Sequence, residues 1–254
     1  MKLATWNINS LKVRLPHVLD WFQQNPVDVL CLQETKCVDE AFPCDVIRSA
    51  GYDPVFCGQK TYNGVAVLSK KPVRDTISCI PNFEDNHKRA LAVTVDDLRV
   101  ICVYVPNGAA VGSDKYAYKL KWLKATTEWL REEVAQYPKL AVLGDFNIAP
   151  EDRDVHDPVL WQGNVMVSAE EREAFARILG LGLEDSFRLF DQEPGTYTWW
   201  DYRVGAFRRN MGLRIDHILL SRDLIPLASS CHVDKLPRKW ERPSDHAPVV
   251  VELK

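Results

Sequence analysis

The sequence predicts a single α/β domain in which a two-layered β-sandwich is covered on its outside by helices. Three observations favour this fold. Apolar runs of strand length outnumber helical patterns, hairpins alternate with helical crossovers, and no linker rich in Gly, Ser or Pro divides the chain. A length of 254 residues suits one large domain or two small ones, and the absence of a linker favours one. We therefore expect residues 1–254 to fold as one unit.

The first half of the chain alternates strands with two helices. Residues 12–24 carry apolar side chains near 3.6-residue spacing, and Asn25-Pro26 ends this helix. A shorter helix over residues 43–50 is stopped by Gly51. Apolar runs bounded by polar residues predict the strands. These are residues 2–9, 28–34, 65–68, 90–95 and 98–105, the last two forming a hairpin.

The second half contains the longest helix and the central strand. Residues 114–136 carry an apolar stripe, and Pro138 lies just beyond the end of this helix. Ser168 followed by Glu171 is a capping-box pattern, which predicts a helix over residues 169–179. The strands expected here are residues 139–145, 215–220 and 246–251.

Composition is typical of a globular protein in a reducing compartment. Hydrophobic residues make up 46% of the chain, and no apolar run approaches the roughly 20 residues of a membrane span. The N-terminus lacks the long apolar segment of a secretory signal. The seven cysteines are scattered without a Cys-x-x-Cys pair, which argues against a disulfide framework. We expect a cytoplasmic, monomeric protein that does not engage a membrane.

The net charge of −3 does not by itself indicate a nucleic-acid binder, so the local distribution of charge is more informative. Residues 196–203 are rich in aromatic side chains, which either pack in a core or stack on bases and deoxyribose. Arginines flank and follow this segment, and they favour the second alternative. They are Arg203, Arg208, Arg209 and Arg214. A further basic cluster consists of Lys115, Lys119, Lys121 and Lys124.

The strand over residues 139–145 ends abruptly in Gly144-Asp145-Phe146-Asn147. Gly144 allows a turn or a close backbone approach. Asp145 and Asn147 are two residues apart, so in an extended chain they face the same side. A carboxylate can take a proton or hold a cation, and an amide can donate to an anion. The pair is therefore half of a site for phosphate-ester cleavage, or else a simple Asx turn.

Polar positions stand at the ends of several other apolar strands. The set is Asn7, Glu34, Tyr104, Asp145 with Asn147, Asp216, and Asp245 with His246. Buried carboxylates are costly unless they are paired or bind a metal. If the strands converge, Glu34, Asp145 and Asp245 need a cation between them. Oxygen ligands without cysteine favour Mg²⁺ or Mn²⁺ over zinc.

Asp216 and His246 suggest a second function for this set. A carboxylate beside an imidazole fixes its tautomer and favours its charged form, and an imidazolium stabilises charge that develops on a phosphate oxygen. Tyr104 could donate a hydrogen bond to the same phosphate. The alternatives are local bonding for His246, a core position for Tyr104 and a plain turn for Asn107-Gly108.

Seven segments in order along nearly the whole chain resemble the exonuclease III / abasic-site endonuclease family, within the deoxyribonuclease-I-like metal phosphodiesterases. They are Thr5-Trp6-Asn7-Ile8-Asn9, Leu32-Gln33-Glu34-Thr35-Lys36, Gly58-Gln59-Lys60 with Asn63-Gly64-Val65-Ala66, Tyr104-Val105-Pro106-Asn107-Gly108, Gly144-Asp145-Phe146-Asn147, Gly212-Leu213-Arg214-Ile215-Asp216 and Pro243-Ser244-Asp245-His246-Ala247-Pro248. The resemblance implies a four-layered α/β sandwich of two mixed β-sheets flanked by helices. It also implies Mg²⁺-dependent hydrolysis of DNA phosphodiesters in DNA repair, on double-stranded DNA with abasic sites or 3′ ends.

The resemblance also implies a role for each matching residue. The catalytic group is Asp145, Asn147, Tyr104, Asp216 and His246. The metal group is Glu34, with Asn7, Asp245, Asp145 and Asn147. The group that contacts DNA or phosphate is Asn107, Lys36, Trp199, Arg203, Arg208, Arg209, Leu213, Ile215 and Met166. In these roles Asp145 activates or positions the attacking water, and Asp216 orients His246.

Two positions depart from the family pattern. Asn9 stands where some members have aspartate, which removes one potential metal ligand. Met166 stands where some members have glycine in the pocket for an abasic sugar, whose apolar wall matches Trp199, Leu213 and Ile215. We hypothesise that abasic-site incision is weakened relative to 3′-end processing. A same-fold hydrolase of lipid or inositol phosphates and a catalytically silent DNA-binding module remain as alternatives.

Overall fold

The computed structural model describes residues 1–254, and two six-stranded mixed β-sheets lie at its centre. The strands, numbered β1 to β14, are Lys2–Asn7, Val29–Gln33, Asp53–Cys57, Val65–Ser69, Val73–Ile77, Ala90–Val95, Leu98–Tyr104, Leu140–Asp145, Leu183–Asp185, Trp199–Trp200, Gly212–Leu213, Asp216–Ser221, Ala228–Val233 and Val249–Leu253. The helices, numbered α1 to α5, are Leu11–Gln24, Cys44–Ser49, Asp114–Gln136, Pro158–Trp161 and Ala169–Leu179.

The two sheets have the same arrangement of strands. The first has the order β13-β14-β1-β2-β4-β3, and the second, in the same sense, has the order β9-β12-β8-β7-β6-β5. Each contains one parallel pair, β1 with β2 and β7 with β8, and the other pairs are antiparallel. The carboxyl ends of β1 and β8 therefore occupy equivalent places in the two sheets.

Three apolar clusters build four layers. One fills the space between the sheets, a second joins the outer face of the second sheet to α3 and α5, and a third joins the first sheet to α1. In β8, for example, Leu143 points between the sheets and Val142 points toward the helices. Both faces of such strands are buried, which explains their continuous apolar runs. The prediction of a four-layered α/β sandwich is confirmed.

The helices match the sequence pattern better than the outer strands do. The helices predicted over 114–136 and 169–179 have those bounds, and Ser168 and Glu171 form the predicted capping box. The strand predicted over 246–251 was placed too early, because it begins at Val249. Residues before it form a turn that is held by other loops.

Several short strands were missed in the sequence. Strands β3, β5 and β13 lie at or near sheet edges, and β5 is largely exposed. Edge strands need no alternating apolar face, and β3 even contains Pro54. The loop over residues 196–214 also contains the small β10–β11 ribbon.

Two residues of the predicted basic clusters are buried. Lys119 is fully buried and forms an ion pair with Glu171. Arg214 is 1% exposed and pairs with Asp154 and Asp185, each at 2.7 Å. Both therefore belong to the interior. None of the helices combines the length and apolarity needed to span a bilayer.

Candidate active site

Strand register brings the predicted polar residues together at one end of the central strands of the second sheet. Asp145 ends β8, and it lies opposite Asp216 of β12 on one side and Tyr104 of β7 on the other. Gly144 precedes it, and a Cβ atom there would collide with the carbonyl group of Val103. Glycine at this position therefore permits the close pairing of β7 and β8 beneath the site.

Asn7, at the end of β1, links the two sheets here through its side-chain amide. Its side-chain Nδ2 donates to Glu34 Oε1 at 2.9 Å and to Asp145 Oδ2 at 2.8 Å. The side chain is fully buried, and its Oδ1 accepts the backbone N–H of Asn9 at 3.0 Å. The amide therefore holds carboxylates from both sheets facing one another.

Glu34, Asp145 and His246 form the centre of the site. One potential ligand atom from each lies within 4.8 Å of the other two. His246 Nε2 lies 3.7 Å from Asp145 Oδ2, and its Nδ1 lies 2.9 Å from Asp216 Oδ2. The imidazole is thus held between two carboxylates on adjacent strands.

The electrostatics of this centre follow from burial and close charges. Burial raises the pKa of Asp145 to about 7, and His246 opposes this rise while Asp216 adds to it. Burial acts to lower the pKa of His246, but Asp216 and Asp145 outweigh it and raise that pKa to about 10. The imidazole is therefore cationic at neutral pH.

The pKa values of Glu34 and Tyr104 are shifted in opposite directions. Burial acts to raise the pKa of Glu34, but Lys36, at 2.8 Å, and Asn7 together lower it. Burial, with Glu34 and Asp145 close by, raises the pKa of Tyr104 well above its usual range. Glu34 thus stays ionised and Tyr104 keeps its proton as a donor.

Asn147 and Asn107 lie beside Asp145 and are joined to each other. Asn107 Nδ2 donates to Asn147 Oδ1 at 3.1 Å, and the Asn147 backbone N–H donates to Asp145 Oδ1 at 2.9 Å. Asn147 Nδ2 also donates to the carbonyl of Val105 at 3.0 Å. Each amide has a second N–H that these contacts do not use.

Asp245 lies at the site but has other partners. Its Oδ1 accepts Asn9 Nδ2 at 2.8 Å, and its Oδ2 accepts Trp199 Nε1 at 3.0 Å. Asn9 Oδ1 in turn accepts Lys36 Nζ at 2.6 Å. The three acidic residues expected to share a cation are therefore arranged unequally, with His246 rather than Asp245 closest to Glu34 and Asp145.

Several residues of the site that are not glycine have a backbone in the left-handed region. Residues other than glycine with positive φ include Asn9 at 45°, Glu34 at 51°, Lys36 at 50°, Asn147 at 49° and Met166 at 75°. Such conformations persist only where the surrounding structure holds them, and they cluster at functional sites.

The apolar wall expected for a sugar pocket is present next to His246. Met166, Leu213 and Ile215 share one apolar cluster, against which Trp199 packs. Trp199 also forms a backbone bridge with His246, which places this cluster beside the centre of the site. Met166 is only 7% exposed, so its side chain fills the wall.

The predicted DNA-binding arginines do not enter the centre. Arg203, Arg208 and Arg209 are exposed on the loop between β10 and β11, and Arg203 pairs with Asp201 at 2.7 Å. Trp199, on β10 before this loop, packs against the apolar cluster that contains Met166. Contact of these arginines with DNA stays a prediction.

The sequence reasoning missed the buried pair of Lys119 and Glu171 beneath the asparagines. Lys119 lies three residues after Tyr116 and four before Leu123, both buried on α3. This spacing places it on the apolar stripe of the helix. That position was the signal that it does not belong to a surface cluster.

The donor set fits a hard divalent cation. Glu34 and Asp145 supply carboxylate oxygens, and no cysteine or second histidine lies in the cluster. Asp145 and Asp216 are both 1% exposed and directly opposed, so the site concentrates negative charge that a cation would compensate.

Residues 4–246 match the sequence model of the Endonuclease/Exonuclease/phosphatase family. The chain belongs to this family. The exodeoxyribonuclease III of Haemophilus influenzae is 35% identical over 268 residues, covering 100% of both chains. The resemblance to exonuclease III is therefore confirmed, as is the class of hydrolytic nuclease. Members of the family depend on a metal, and the carboxylates of Glu34 and Asp145 belong to the candidate acidic site for it.

Solved structures of family members have the same fold over the full chain. A 3′-5′ exonuclease from Neisseria meningitidis has a TM-score of 0.98 and 46% identity, covering 100% of both chains. A 3′ phosphatase from Neisseria bound to a product DNA hairpin has a TM-score of 0.98 and 45% identity, covering 100% of this chain and 99% of that chain. An AP endonuclease from Archaeoglobus fulgidus has a TM-score of 0.97 and 37% identity, with the same coverage.

Proposed function

We propose that this protein is a Mg²⁺-dependent DNA repair nuclease that removes nucleotides and blocking groups from the 3′ ends of double-stranded DNA. The observation that carries the proposal is the cluster of Glu34 with the buried Asp145 and His246, with Asp216 behind the imidazole. The relatives named as a 3′-5′ exonuclease and as a 3′ phosphatase bound to product DNA support the choice of substrate.

Asp145 is the group that positions the attacking water and accepts its proton. Its carboxylate is fixed at both oxygens, by the Asn147 backbone N–H and by Asn7 Nδ2. Burial raises its pKa to about 7, so it has the basicity that proton transfer at neutral pH requires. Orientation and basicity thus coincide in one side chain.

His246 supplies positive charge to the scissile phosphate. Its Nδ1 faces Asp216 at 2.9 Å, so the proton on Nε2 points into the site. Because the pKa of His246 is raised to about 10, the ring is an imidazolium and stabilises charge on a phosphate oxygen. Asp216 acts through His246 by fixing its orientation and charge.

Tyr104, Asn107 and Asn147 complete the phosphate site as neutral donors. Tyr104 keeps its proton because its pKa is raised, and both amides retain an unused N–H. Preorganised donors of this kind stabilise a developing oxyanion without reorganisation.

Glu34 is the residue that holds the cation, with Asp145, Asn7, Asn147 and Asp245 around it. Mg²⁺, or Mn²⁺ in its place, would act there as a Lewis acid that stabilises the leaving 3′-oxygen. Lys36 keeps Glu34 ionised and oriented, since its Nζ lies 2.8 Å from Glu34 Oε2.

The side chain of Met166 biases the choice of substrate. It fills the apolar wall formed with Leu213 and Ile215, next to Trp199. An extruded abasic sugar needs that space, whereas a terminal 3′-phosphate does not. We therefore infer that 3′-end processing exceeds abasic-site incision. The single-domain organisation, the monomeric state and the cytoplasmic location stay predictions.

Three duplexes test the proposed function. They carry an internal abasic site, a 3′ mismatch or a 3′-phosphate, and each is incubated with the protein in Mg²⁺ or in excess EDTA. We expect Mg²⁺-dependent cleavage of the 3′-modified duplexes and slower incision at the abasic site. Cleavage of an inositol phosphate or a lipid headgroup, with all three duplexes intact, would contradict the proposal and favour a same-fold phosphatase.

A further inference from the structure

Lys119 is a fully buried lysine on α3 whose contacts all lead toward the candidate active site. Its Nζ donates to the backbone carbonyl oxygen of Asn147 at 2.7 Å and to that of Asn107 at 3.1 Å. It also forms an ion pair with Glu171. An ammonium group has three N–H donors, and these three acceptors use all of them.

Glu171, on α5, extends this contact to the turn that contains Met166. Its Oε1 accepts the Met166 backbone N–H at 3.0 Å, and its Oε2 accepts the Ser168 N–H at 3.1 Å and the Ser168 hydroxyl at 2.6 Å. The carboxylate is 0% exposed. One buried ion pair therefore connects two asparagines of the phosphate site with the wall of the substrate pocket.

The residues that this pair holds need support. Asn147 and Met166 both have positive φ, at 49° and 75°. Residues other than glycine keep this backbone conformation where neighbouring groups hold it. Lys119 contacts the carbonyl of Asn147, and Glu171 contacts the N–H of Met166. The ion pair thus bonds directly to both strained turns.

We propose that Lys119 and Glu171 are positioning residues, which hold Asn107 and Asn147 in register with the phosphate and couple them to the Met166 turn. This proposal rests on the proposed function. A buried ion pair is a weak source of stability, because desolvation offsets its attraction. What it provides, and an apolar pair would not, is directed bonds to the backbone of both turns.

The first test is Lys119→Met, which keeps the length of the side chain and removes the donors. With a 3′-phosphate duplex and saturating Mg²⁺, we expect kcat to fall about 100-fold while KM changes less than about threefold. The reason is that a small displacement of positioning groups costs rate rather than binding. An unchanged kcat would overturn the proposal.

The double variant Lys119→Met/Glu171→Gln separates positioning from stability. It leaves no unpaired buried charge, so its Tm should return toward that of the wild type. Its kcat should stay low, because the carbonyl groups of Asn107 and Asn147 still lack their donor. Recovery of kcat together with Tm would show that the pair is only structural.

A second buried ion pair, between Arg99 of β7 and Glu133 of α3, gives a matched control. Arg99 Nε lies 2.6 Å from Glu133 Oε2, and both side chains are buried, but neither contacts the site. Arg99→Met/Glu133→Gln should change Tm comparably and leave kcat within about twofold. An equal loss of kcat in this control would overturn the proposal.

An assay of the wild-type enzyme distinguishes a failure of the proposed function from a failure of the positioning role alone. If it releases no phosphate from DNA in Mg²⁺, the proposed function fails and this proposal fails with it. If it is active and Lys119→Met is equally active, this proposal fails alone.

Discussion

Asp216 Oδ2 lies 2.9 Å from His246 Nδ1, and both side chains are at most 4% exposed. This buried contact joins β12 to the loop before β14, two segments that are far apart in the sequence. Because a carboxylate can only accept here, the ring proton on Nδ1 is fixed, and the second proton of the imidazolium lies on Nε2. That proton faces the space shared with Asp145.

Replacing Asp216 tests whether His246 acts through its charge. In Asp216→Asn the amide can still hydrogen-bond the ring, but the opposing charge is lost and the imidazolium is less favoured. We expect kcat for 3′-phosphate release to fall by about 100-fold or more, with folding retained. Rates within a few-fold of wild type, in a folded variant, would argue against a charged His246.

Met166→Gly tests the origin of the substrate preference. Removing the side chain opens the wall next to Trp199, and glycine tolerates the φ of 75° without strain. We expect incision of an internal abasic site to rise about tenfold or more, while 3′-phosphate release stays within about threefold.

Asn82→Gly is a control for the change in backbone alone, since Asn82 is exposed and has a φ of 59°. It should leave both rates unchanged. No gain of abasic incision in Met166→Gly would remove the hypothesis that this side chain restricts the pocket.

Asn9→Asp tests the effect of having asparagine at a position where some family members have aspartate. Asn9 Nδ2 now donates to Asp245 Oδ1 at 2.8 Å, so the variant would place two carboxylates in contact. We expect a lower Tm than wild type in EDTA, because like charges repel at this distance. Added Mg²⁺ should raise the Tm of the variant more than that of the wild type, since a cation bound to the folded state stabilises it. An equal rise in both proteins would contradict this account.

His217 gives a pH dependence of stability that does not involve the reaction. Its Nε2 lies 2.9 Å from the carbonyl oxygen of Ile148, which only accepts, and its Nδ1 lies 2.9 Å from Arg214 Nη1, which only donates. The ring must therefore be neutral. Burial, together with the charge of Arg214, lowers the pKa of His217 to about 4.

The sign of this effect follows from proton binding in the two states. Between the ordinary pKa of 6.5 and the folded value of about 4, the unfolded chain binds the proton and the folded chain does not. Stability from this group is complete above pH 6.5 and decreases as the pH falls toward 4, by roughly 3 kcal/mol in total.

His217→Gln should remove this contribution, because Gln can both donate to Ile148 and accept from Arg214 without titrating. Urea unfolding across this pH range should give a flatter profile for the variant. The exposed His232→Gln should leave the profile as in wild type. Identical profiles for the wild type and His217→Gln would contradict a neutral, buried imidazole.

The sequence predicted the centre of the site because polar residues interrupt apolar runs where strands end. Register then places Tyr104, Asp145 and Asp216 side by side. The sequence could not show that His246, rather than Asp245, lies closest to Glu34 and Asp145. Both residues belong to a turn whose shape depends on distant loops. It is held by the bridge between Trp199 and His246.

Charge patterns were the least reliable part of the sequence reasoning. Lys119 and Arg214 both occur among other basic residues, yet both are buried by partners from distant segments. Local sequence does not indicate that a lysine or arginine will pair with a distant carboxylate. Glu171 lies 52 residues from Lys119, and Asp154 lies 60 residues from Arg214. Only the helical position of Lys119 relative to Tyr116 and Leu123 gave a local indication.

The central claim is that Glu34, Asp145 and His246 form one metal-dependent hydrolytic centre for DNA. Its most direct test is the initial rate of phosphate release from a 3′-phosphorylated duplex by wild type and Asp145→Asn, each in Mg²⁺ and in EDTA. The account predicts release by the wild type in Mg²⁺ only, and a loss of about 100-fold or more in a folded variant that still binds the duplex. Release by Asp145→Asn at the wild-type rate, or release by the wild type in EDTA, would contradict it.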